Sequence, residues 1–146
     1  MSAPVFTLSL RLWHSTQRAD DIIAALQLPP RFYHSVGSDR QTPKGTPLDG
    51  IYEETYCCFL LEKKMRGHLD EYLEHWCEYL EKFTEFLNDF LRTNGKLEFY
   101  ASIFLDGDKG FEIKNILLNR ICALGLGLSI EMYRLSDKEA ARIVEN

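Results

Sequence analysis

The chain has 146 residues and a mass of 17.0 kDa, which is the size of one domain and is enough to bury a single core. Apolar residues make up 45% of the sequence and charged residues 27%, values that exclude a disordered or fibrous chain. The formal net charge of -5 disfavours binding to nucleic acid or to an anionic membrane. We therefore expect one folded domain over residues 1–146.

The location of the protein follows from the absence of targeting signals in the sequence. No apolar run approaches the ~18 residues of a membrane span, and the first residues lack the basic and apolar regions of a signal peptide. The sequence therefore predicts a cytoplasmic protein. The cysteines lie in apolar stretches without CxxC spacing, which favours buried thiols over disulfides or a zinc site. They are Cys57, Cys58, Cys77 and Cys122.

The first half of the chain predicts two long strands separated by a helix and a loop. Residues 5–13 alternate between apolar and polar side chains, which is the period of a half-buried strand. Ser15 or Thr16 can cap the helix that follows, and Pro29–Pro30 ends it. The predicted elements are a strand over 5–13, a helix through 24–26, an extended piece over 32–36, a loop over 37–50 and a strand over 51–61.

The segment after the second strand repeats every seven residues. Heptads that begin at Leu69, Trp76 and Phe83 place three apolar residues each on one side of a single helix, which ends near Asn94–Gly95. An apolar stripe this wide and this rich in aromatic residues is more typical of a helix packed on a sheet than of a coiled coil.

The negative charge of the chain is concentrated in this helix. Between Gly67 and Arg92 there are seven acids and two bases, a net charge that equals the -5 of the whole chain. The acids repeat with the heptads, which predicts an acidic ridge about 25–30 Å long at ~1.5 Å per residue. They are Asp70, Glu71, Glu74, Glu78, Glu81, Glu85 and Asp89.

The last third of the chain predicts a hairpin, a helix and a final strand. Residues 96–105 form a strand that turns at 106–110 into a short strand over 111–113. A helix over 115–124 with Gly125 as its C-cap leads into a strand over 126–135, and Ser136 with Glu139 forms a capping box for a terminal helix. The fold class is therefore α+β: a two-layer, mostly antiparallel sheet of five or six strands, with one long amphipathic helix and two shorter helices on one face.

Candidate catalytic residues lack partners at productive spacing. Counting from Asp106, the sixth and twelfth positions of a calcium loop hold Phe111 and Leu117 where Gly and Glu are needed. The glycine-rich dinucleotide motif, the P-loop and the nucleophile elbow are absent. His75 and Cys77 point away from each other on a helix, and the four histidines match no zinc signature. We therefore expect no enzyme activity, no catalytic residue, no metal and no cofactor.

Two surfaces remain as candidates for binding. The acidic ridge can steer a basic protein partner, or it can serve as a solvated face that keeps the protein soluble. Aromatic residues near the 37–50 loop, together with nearby cations, can line a small pocket, form the footprint of a protein partner, or belong to the core and its rim. These residues are Phe32, Tyr33, Tyr52, Tyr56, Arg31, Arg40 and Lys44.

Several segments of the chain resemble one known family. The strand FTLSLRLW, the helix DDIIAALQL and the closing block GFEIKNILLNRICALGLGLSIEMY resemble the bacterial domain of unknown function family four-two-seven-nine. The closing block contributes Leu117–Leu118, Leu124–Gly125–Leu126 and Tyr133, which are packing motifs. The resemblance covers about residues 5–135. It implies a small bacterial α+β domain found near polymorphic toxins, where small acidic proteins act as immunity partners.

The leading hypothesis is a non-enzymatic protein-binding module. In its most concrete form it is an immunity protein that neutralises a bacterial toxin through the acidic ridge. The alternative is a small-molecule-binding or regulatory domain that uses the 37–50 loop as a lid. The sequence leaves the identity of the partner and the oligomeric state open.

Overall fold

The computed structural model describes residues 3–135 of the chain. The capping box at Ser136 and Glu139 lies outside this range. Within it, no helix is long and apolar enough to cross a membrane. The elements in chain order are β1 (Val5–His14), α1 (Ala19–Leu26), β2 (Phe32–His34), β3 (Asp39–Gln41), β4 (Pro47–Ile51), β5 (Thr55–Arg66), α2 (Leu69–Glu81), α3 (Thr84–Arg92), β6 (Lys96–Leu105), α4 (Asn115–Ala123) and β7 (Leu126–Arg134).

Five strands form one mixed sheet in the order β2-β5-β1-β6-β7. β1 lies at the centre and pairs antiparallel with both β5 and β6, and β2 pairs antiparallel with β5. The predicted α+β class is confirmed, but β7 pairs parallel with β6. A parallel partner needs a crossover connection, and α4 supplies it.

All four described helices pack on the same face of the sheet. Three crossovers, through α1, through α2 with α3, and through α4, each join strands that run parallel to each other. When strands that run in these directions are joined by right-handed crossovers, all the connecting helices lie on the same face of the sheet. The buried helix residues accordingly join a single core with Phe6, Leu8, Leu10 and Leu12 of β1. The opposite face of the sheet receives no helix from residues 3–135.

The heptad segment forms two helices where the sequence predicted one. α2 ends at Glu81, Phe83 leaves the helical conformation with φ -115° and ψ 28°, and α3 begins at Thr84. Side chains that repeat every seven residues rotate by about 20° per heptad around a straight α-helix. Over three heptads, the apolar stripe of one straight helix would therefore turn away from the sheet. The break changes the direction of α3 relative to α2, so that Leu87 and Phe90 face the core and are buried.

The predicted hairpin after residue 105 is also wrong. Residues 106–114 contain no strand, and the edge of β6 that such a strand would need is taken by β7. Asp106 instead accepts a hydrogen bond of 2.7 Å from Arg66 at the end of β5. Phe111 and Ile113, which were predicted to lie in the return strand, pack against the core.

The 37–50 segment is more ordered than a loop. β3 and β4 form a small two-stranded sheet within it, closed by bonds between Thr42 and Thr46. Gly50, with φ +90°, and the bend after it separate β4 from β5, so β5 starts at Thr55 and not at the predicted residue 51. β5 also continues to Arg66, beyond the predicted end at residue 61.

The first helix has a different start from the predicted one. Arg18 is its N-cap residue and makes no side-chain cap hydrogen bond, so neither Ser15 nor Thr16 caps it. The Ala19 N–H donates instead to the Ser35 hydroxyl at 2.9 Å. A side chain from a distant loop thus satisfies a donor that a local residue was expected to satisfy.

Three of the four cysteines are buried as expected. Burial raises the pKa of Cys57 to about 12 and that of Cys77 to about 11, so both remain thiols at neutral pH. Cys58 is buried too, but Cys122 on α4 is exposed. The prediction fails at Cys122 because α4 covers the sheet with one side only, on which Leu117 and Ile121 are buried.

Candidate functional site

The seven acids of the heptad segment lie on the outer side of α2 and α3. We call this set the acidic surface. The buried residues of α2, among them Leu73 and Leu80, face the sheet and so direct the carboxylates away from it. All seven are exposed except Asp70, which is half-buried. Five belong to α2, and Glu85 and Asp89 belong to α3.

Arg120 from α4 neutralises part of the acidic surface. Its guanidinium donates to both carboxylate oxygens of Glu81, at 2.5 and 3.2 Å, and lies 3.6 Å from Glu74. The hydrogen bond from Arg120 lowers the pKa of Glu81. Arg120 is 39 residues from Glu81 in sequence, so no local pattern could have predicted the pair.

Four carboxylates of the acidic surface have no cationic partner within residues 3–135. Asp89 forms an ion pair with Arg92 one helical turn away. The nearby Lys82 lies over the ring of Tyr79 at 5.2 Å instead of pairing with an acid. The unpaired acids are Asp70, Glu71, Glu78 and Glu85.

A small pocket borders the acidic surface between α2 and α4. Its lining combines the acids Asp70 and Glu74 with Lys114, Arg120 and the apolar side chain of Ile116. The cavity measures about 230 Å³, below the ~300–1,000 Å³ of typical small-molecule sites. Ile116 is 73% exposed, which is unusual for a large aliphatic residue. The pocket suits a single side chain of a protein partner better than a free ligand.

The second candidate surface is the sheet face opposite the helices, which we call the open sheet face. Register and contacts place seven rings on it from all five strands, and every ring is half-buried or exposed. They are Trp13, Phe32, His34, Tyr56, Tyr100, Phe104 and Tyr133. Phe32 and Tyr56 were among the aromatic residues singled out from the sequence. Of the other rings, Trp13, Tyr100, Phe104 and Tyr133 come from strands far apart in the chain, so no local pattern grouped them.

An ion pair lies at the centre of the open sheet face. Arg11 donates to Glu98 through Nε at 2.9 Å and also through Nη2, and the Ser129 hydroxyl donates to the same carboxylate at 2.6 Å. Glu98 is only 6% exposed. The Arg11 guanidinium lies 4.1 Å from the ring centroid of Tyr100 and 5.3 Å from that of Trp13. This packing fixes the guanidinium in the middle of the rings.

The rings gather at two ends of the open sheet face. At one end, Tyr56 has its ring centroid 5.4 Å from Trp13 and 6.2 Å from Phe32. Burial raises the pKa of Tyr56 to about 12. At the other end, Phe104 and Tyr133 stack at 5.4 Å. These pairs combine apolar area with preferred ring geometry.

His34 joins this surface to the 37–50 segment. Its ring stacks on Tyr52 at 3.7 Å, and Tyr52 in turn hydrogen-bonds to the backbone of Gln41. Both residues line a shallow cavity of about 340 Å³ together with Arg40 and Glu54. Tyr33, which was grouped with these rings in the sequence, lies opposite Cys57 and so points to the other side of β2.

The residues considered above for metal binding lie in different parts of the fold. Within residues 3–135, no three His, Cys, Asp or Glu side chains lie close enough together to hold a metal ion. His14 is buried as a hydrogen-bonding group at the end of β1, while His68 and His75 are exposed. Asp106, considered above for calcium, is bound to Arg66 and lies 3.9 Å from Lys109.

The described residues define a two-layer α+β domain with two exposed surfaces of different character. Comparison with known proteins found no matching family model, curated protein or solved structure. The resemblance of residues 5–135 to the bacterial family stays a prediction. The function is therefore argued from the two surfaces.

Proposed function

We propose that this chain is a non-enzymatic protein-binding module whose acidic surface docks a basic protein. The observation that carries the proposal is the set of four exposed or half-exposed carboxylates that residues 3–135 leave without a cation. Unpaired like charges on one surface create a potential that reaches beyond contact distance. Such a potential accelerates association with a partner of opposite charge.

If the acids served only to keep the protein soluble, they would not need to be concentrated on one surface. A soluble surface is served best by both signs interspersed. Here Glu74 lies one turn from both Asp70 and Glu78 within α2, and like charges at this spacing cost a few tenths of a kcal/mol each. Because the helix breaks after Glu81, the repulsion expected between Glu81 and Glu85 is weaker than in one continuous helix. The remaining cost favours a use for the charges.

Ile116 supports the proposal from the neighbouring helix. Protein interfaces combine an apolar anchor in a desolvated centre with polar residues around it. Ile116 projects beside Asp70 and Glu74 at the mouth of the small pocket. A basic partner with an aliphatic or aromatic side chain near its lysines or arginines would match both features.

The most concrete partner is a bacterial toxin, and the module would then be an immunity protein. Nuclease toxins carry basic surfaces because they bind the phosphate backbone. An acidic surface can occupy the same cations and so block the active site. The resemblance to a family found near polymorphic toxins supports this identity of the partner.

The first test is whether the open reading frame directly upstream encodes a toxin, and its absence would favour the small-molecule candidate below. Where it does, the experiment measures binding of this chain to the basic domain of that toxin. We expect the triple variant Glu71→Lys, Glu78→Lys and Glu85→Lys to lower the association rate at least about tenfold at low salt. The wild-type rate should fall steeply with ionic strength, and that of the variant should not. A growth assay with co-expressed toxin then tests whether binding protects the cell.

A matched variant separates the surface from the total charge. Asp39→Lys, Asp49→Lys and Glu53→Lys change the net charge equally but lie on exposed positions in or next to the 37–50 hairpin. This variant should bind nearly as fast as the wild type. Equal rates for both triple variants would contradict the acidic surface, and binding without protection would contradict the immunity role.

A second candidate function, small-molecule binding beside the 37–50 hairpin, has one specific observation in its favour. The Nδ1 atom of His34 is buried and has no hydrogen-bond partner among the described residues. Such an atom can be satisfied by a ligand in the adjacent cavity. A metabolite at about 100 times its Kd should stabilise the protein by ~2.7 kcal/mol in a thermal-shift screen, and His34→Ala should abolish the shift. A screen without any shift would count against this candidate.

A further inference from the structure

We propose that a second copy of this chain covers the open sheet face, so that the protein is a homodimer joined sheet to sheet. The proposal concerns the surface opposite the acidic one and does not depend on the function argued above. It rests on the area of the face, its charge and the arrangement of its rings.

The open sheet face has the size of a protein interface. The five strands contain 44 residues, counted as 10, 3, 12, 10 and 9 for β1, β2, β5, β6 and β7. At ~3.3 Å per residue and ~4.8 Å between strands they cover roughly 700 Å². A standard interface buries about 800 Å² on each partner. Phe32 and Tyr133, at its two edges, are still 40% and 42% exposed, so the monomer leaves aromatic area in water at both edges of the face.

The charges on this face disfavour a basic protein as the occupant. Register and contacts place three cations on it, Arg11, Arg66 and Lys96, and two anions, Glu98 and Glu131. The face therefore carries none of the negative excess of the chain, which lies on the helices behind the sheet. Two sheets packed ~10 Å apart, each with a helix layer behind it, hold their acidic surfaces roughly 30 Å apart. That distance exceeds the Debye length of about 8 Å, so the two copies do not repel each other strongly.

The rings are placed as a two-fold axis requires. Trp13 and Tyr56 pair at the end of β1 that lies near β2, whereas Phe104 pairs with both Val5 and Tyr133 at the diagonally opposite end. A two-fold axis across the centre of the face lays one ring cluster on the other. It also brings the Arg11 and Glu98 pairs of the two copies close together. In the proposed dimer, each ring cluster is therefore covered by the other cluster of the second copy.

The test is the mass of the full chain in solution, measured by sedimentation equilibrium over a wide range of concentration. We expect a particle of two 17.0 kDa chains that dissociates on dilution. Ser102 lies between Thr7 and Glu131 on the open sheet face, so Ser102→Arg should raise the dimer dissociation constant by about tenfold or more. Asn88→Arg makes the same charge change on the exposed side of α3 and should leave the constant within about twofold.

A fluorescence measurement shows which face is covered. The chain has two tryptophans, and Trp76→Phe leaves Trp13 as the only reporter, on the open sheet face. Its emission should shift to the red and become more accessible to a soluble quencher as the dimer dissociates. A chain that stays monomeric at millimolar concentration would overturn the proposal. So would a dimer that Asn88→Arg disrupts and Ser102→Arg does not.

Discussion

The acidic surface and the open sheet face differ in how their charges are balanced. On the helices, four of seven carboxylates have no cation within residues 3–135, and Arg120 compensates two of the others. On the sheet, the central carboxylate of Glu98 is held by Arg11 and by Ser129. The first surface therefore keeps a long-range attraction for basic groups, whereas the second pairs its central charges and offers aromatic area. One domain thus presents two surfaces of different chemical character.

The largest expected difference between the two sides concerns stability. Phe90 is fully buried between the helices and the sheet, while Phe104 is half-buried on the open sheet face. Phe90→Ala should lower the free energy of unfolding by about 3–5 kcal/mol, as for other buried phenylalanines. Phe104→Ala should cost about 1–2 kcal/mol, because water already contacts part of the ring. Urea unfolding at low protein concentration gives both values, and equal losses would show that the open sheet face is packed like a core.

The next effect tests the charge balance of the open sheet face. Arg11→Met leaves the nearly buried Glu98 carboxylate with Ser129 as its remaining partner. The substitution should lower the free energy of unfolding by about 2–3 kcal/mol. The loss is smaller than for a fully buried ion pair because Arg11 is 28% exposed. The double variant Arg11→Met and Glu98→Gln should recover at least half of that loss, since no charge stays unpaired. A double-mutant cycle by chemical denaturation measures the coupling. Additive losses would mean that the pair contributes nothing.

The third effect is the pH dependence of stability that arises from His14, whose side chain connects the end of β1 to the end of α3. Its Nδ1 accepts hydrogen bonds from the backbone N–H groups of Thr16 and Gln17, at 3.1 and 2.9 Å, so Nε2 carries the proton and donates to Thr93 at the end of α3. Burial lowers the pKa of His14 below its ordinary value of 6.5. Its contribution is therefore complete above pH 6.5 and is lost as the pH falls through the lowered pKa.

Urea midpoints measured between neutral and mildly acidic pH check this expectation. The wild type should lose stability across the window, and His14→Asn, whose side-chain oxygen can still accept the two backbone bonds, should lose less. Parallel curves for the two proteins would show that His14 does not control the pH dependence.

The smallest effect on stability is expected where the acidic surface is partly compensated. Arg120→Gln removes a half-buried cation whose partners Glu74 and Glu81 are exposed to water, and should change the free energy of unfolding by less than about 1 kcal/mol. It should also increase the association rate with the basic toxin domain, because Glu74 and Glu81 lose their partner. Arg18→Gln, an exposed change at the N-cap of α1 and outside the acidic surface, should leave the rate nearly unchanged. A slower rate for Arg120→Gln would mean that Arg120 itself contacts the partner.

The sequence by itself determined what depends on near neighbours in the chain. Alternation predicted β6 at its observed bounds, heptad spacing placed the acids on the outer side of their helices, and Gly125 follows α4 with φ +76° as a C-cap should. Strand and helix periods are local, so a short window contains them. The α+β class follows from the order of those elements.

The tertiary structure alone decided which distant residues meet. The parallel pairing of β7, the approach of Arg120 to Glu81 and the ring cluster around Trp13 each join residues dozens of positions apart. No window of sequence contains both partners of such a contact, and several arrangements of the same elements would bury similar apolar area. Crossover handedness selects among them by placing every described helix on one side. That choice covers one face of the sheet and leaves the aromatic face open.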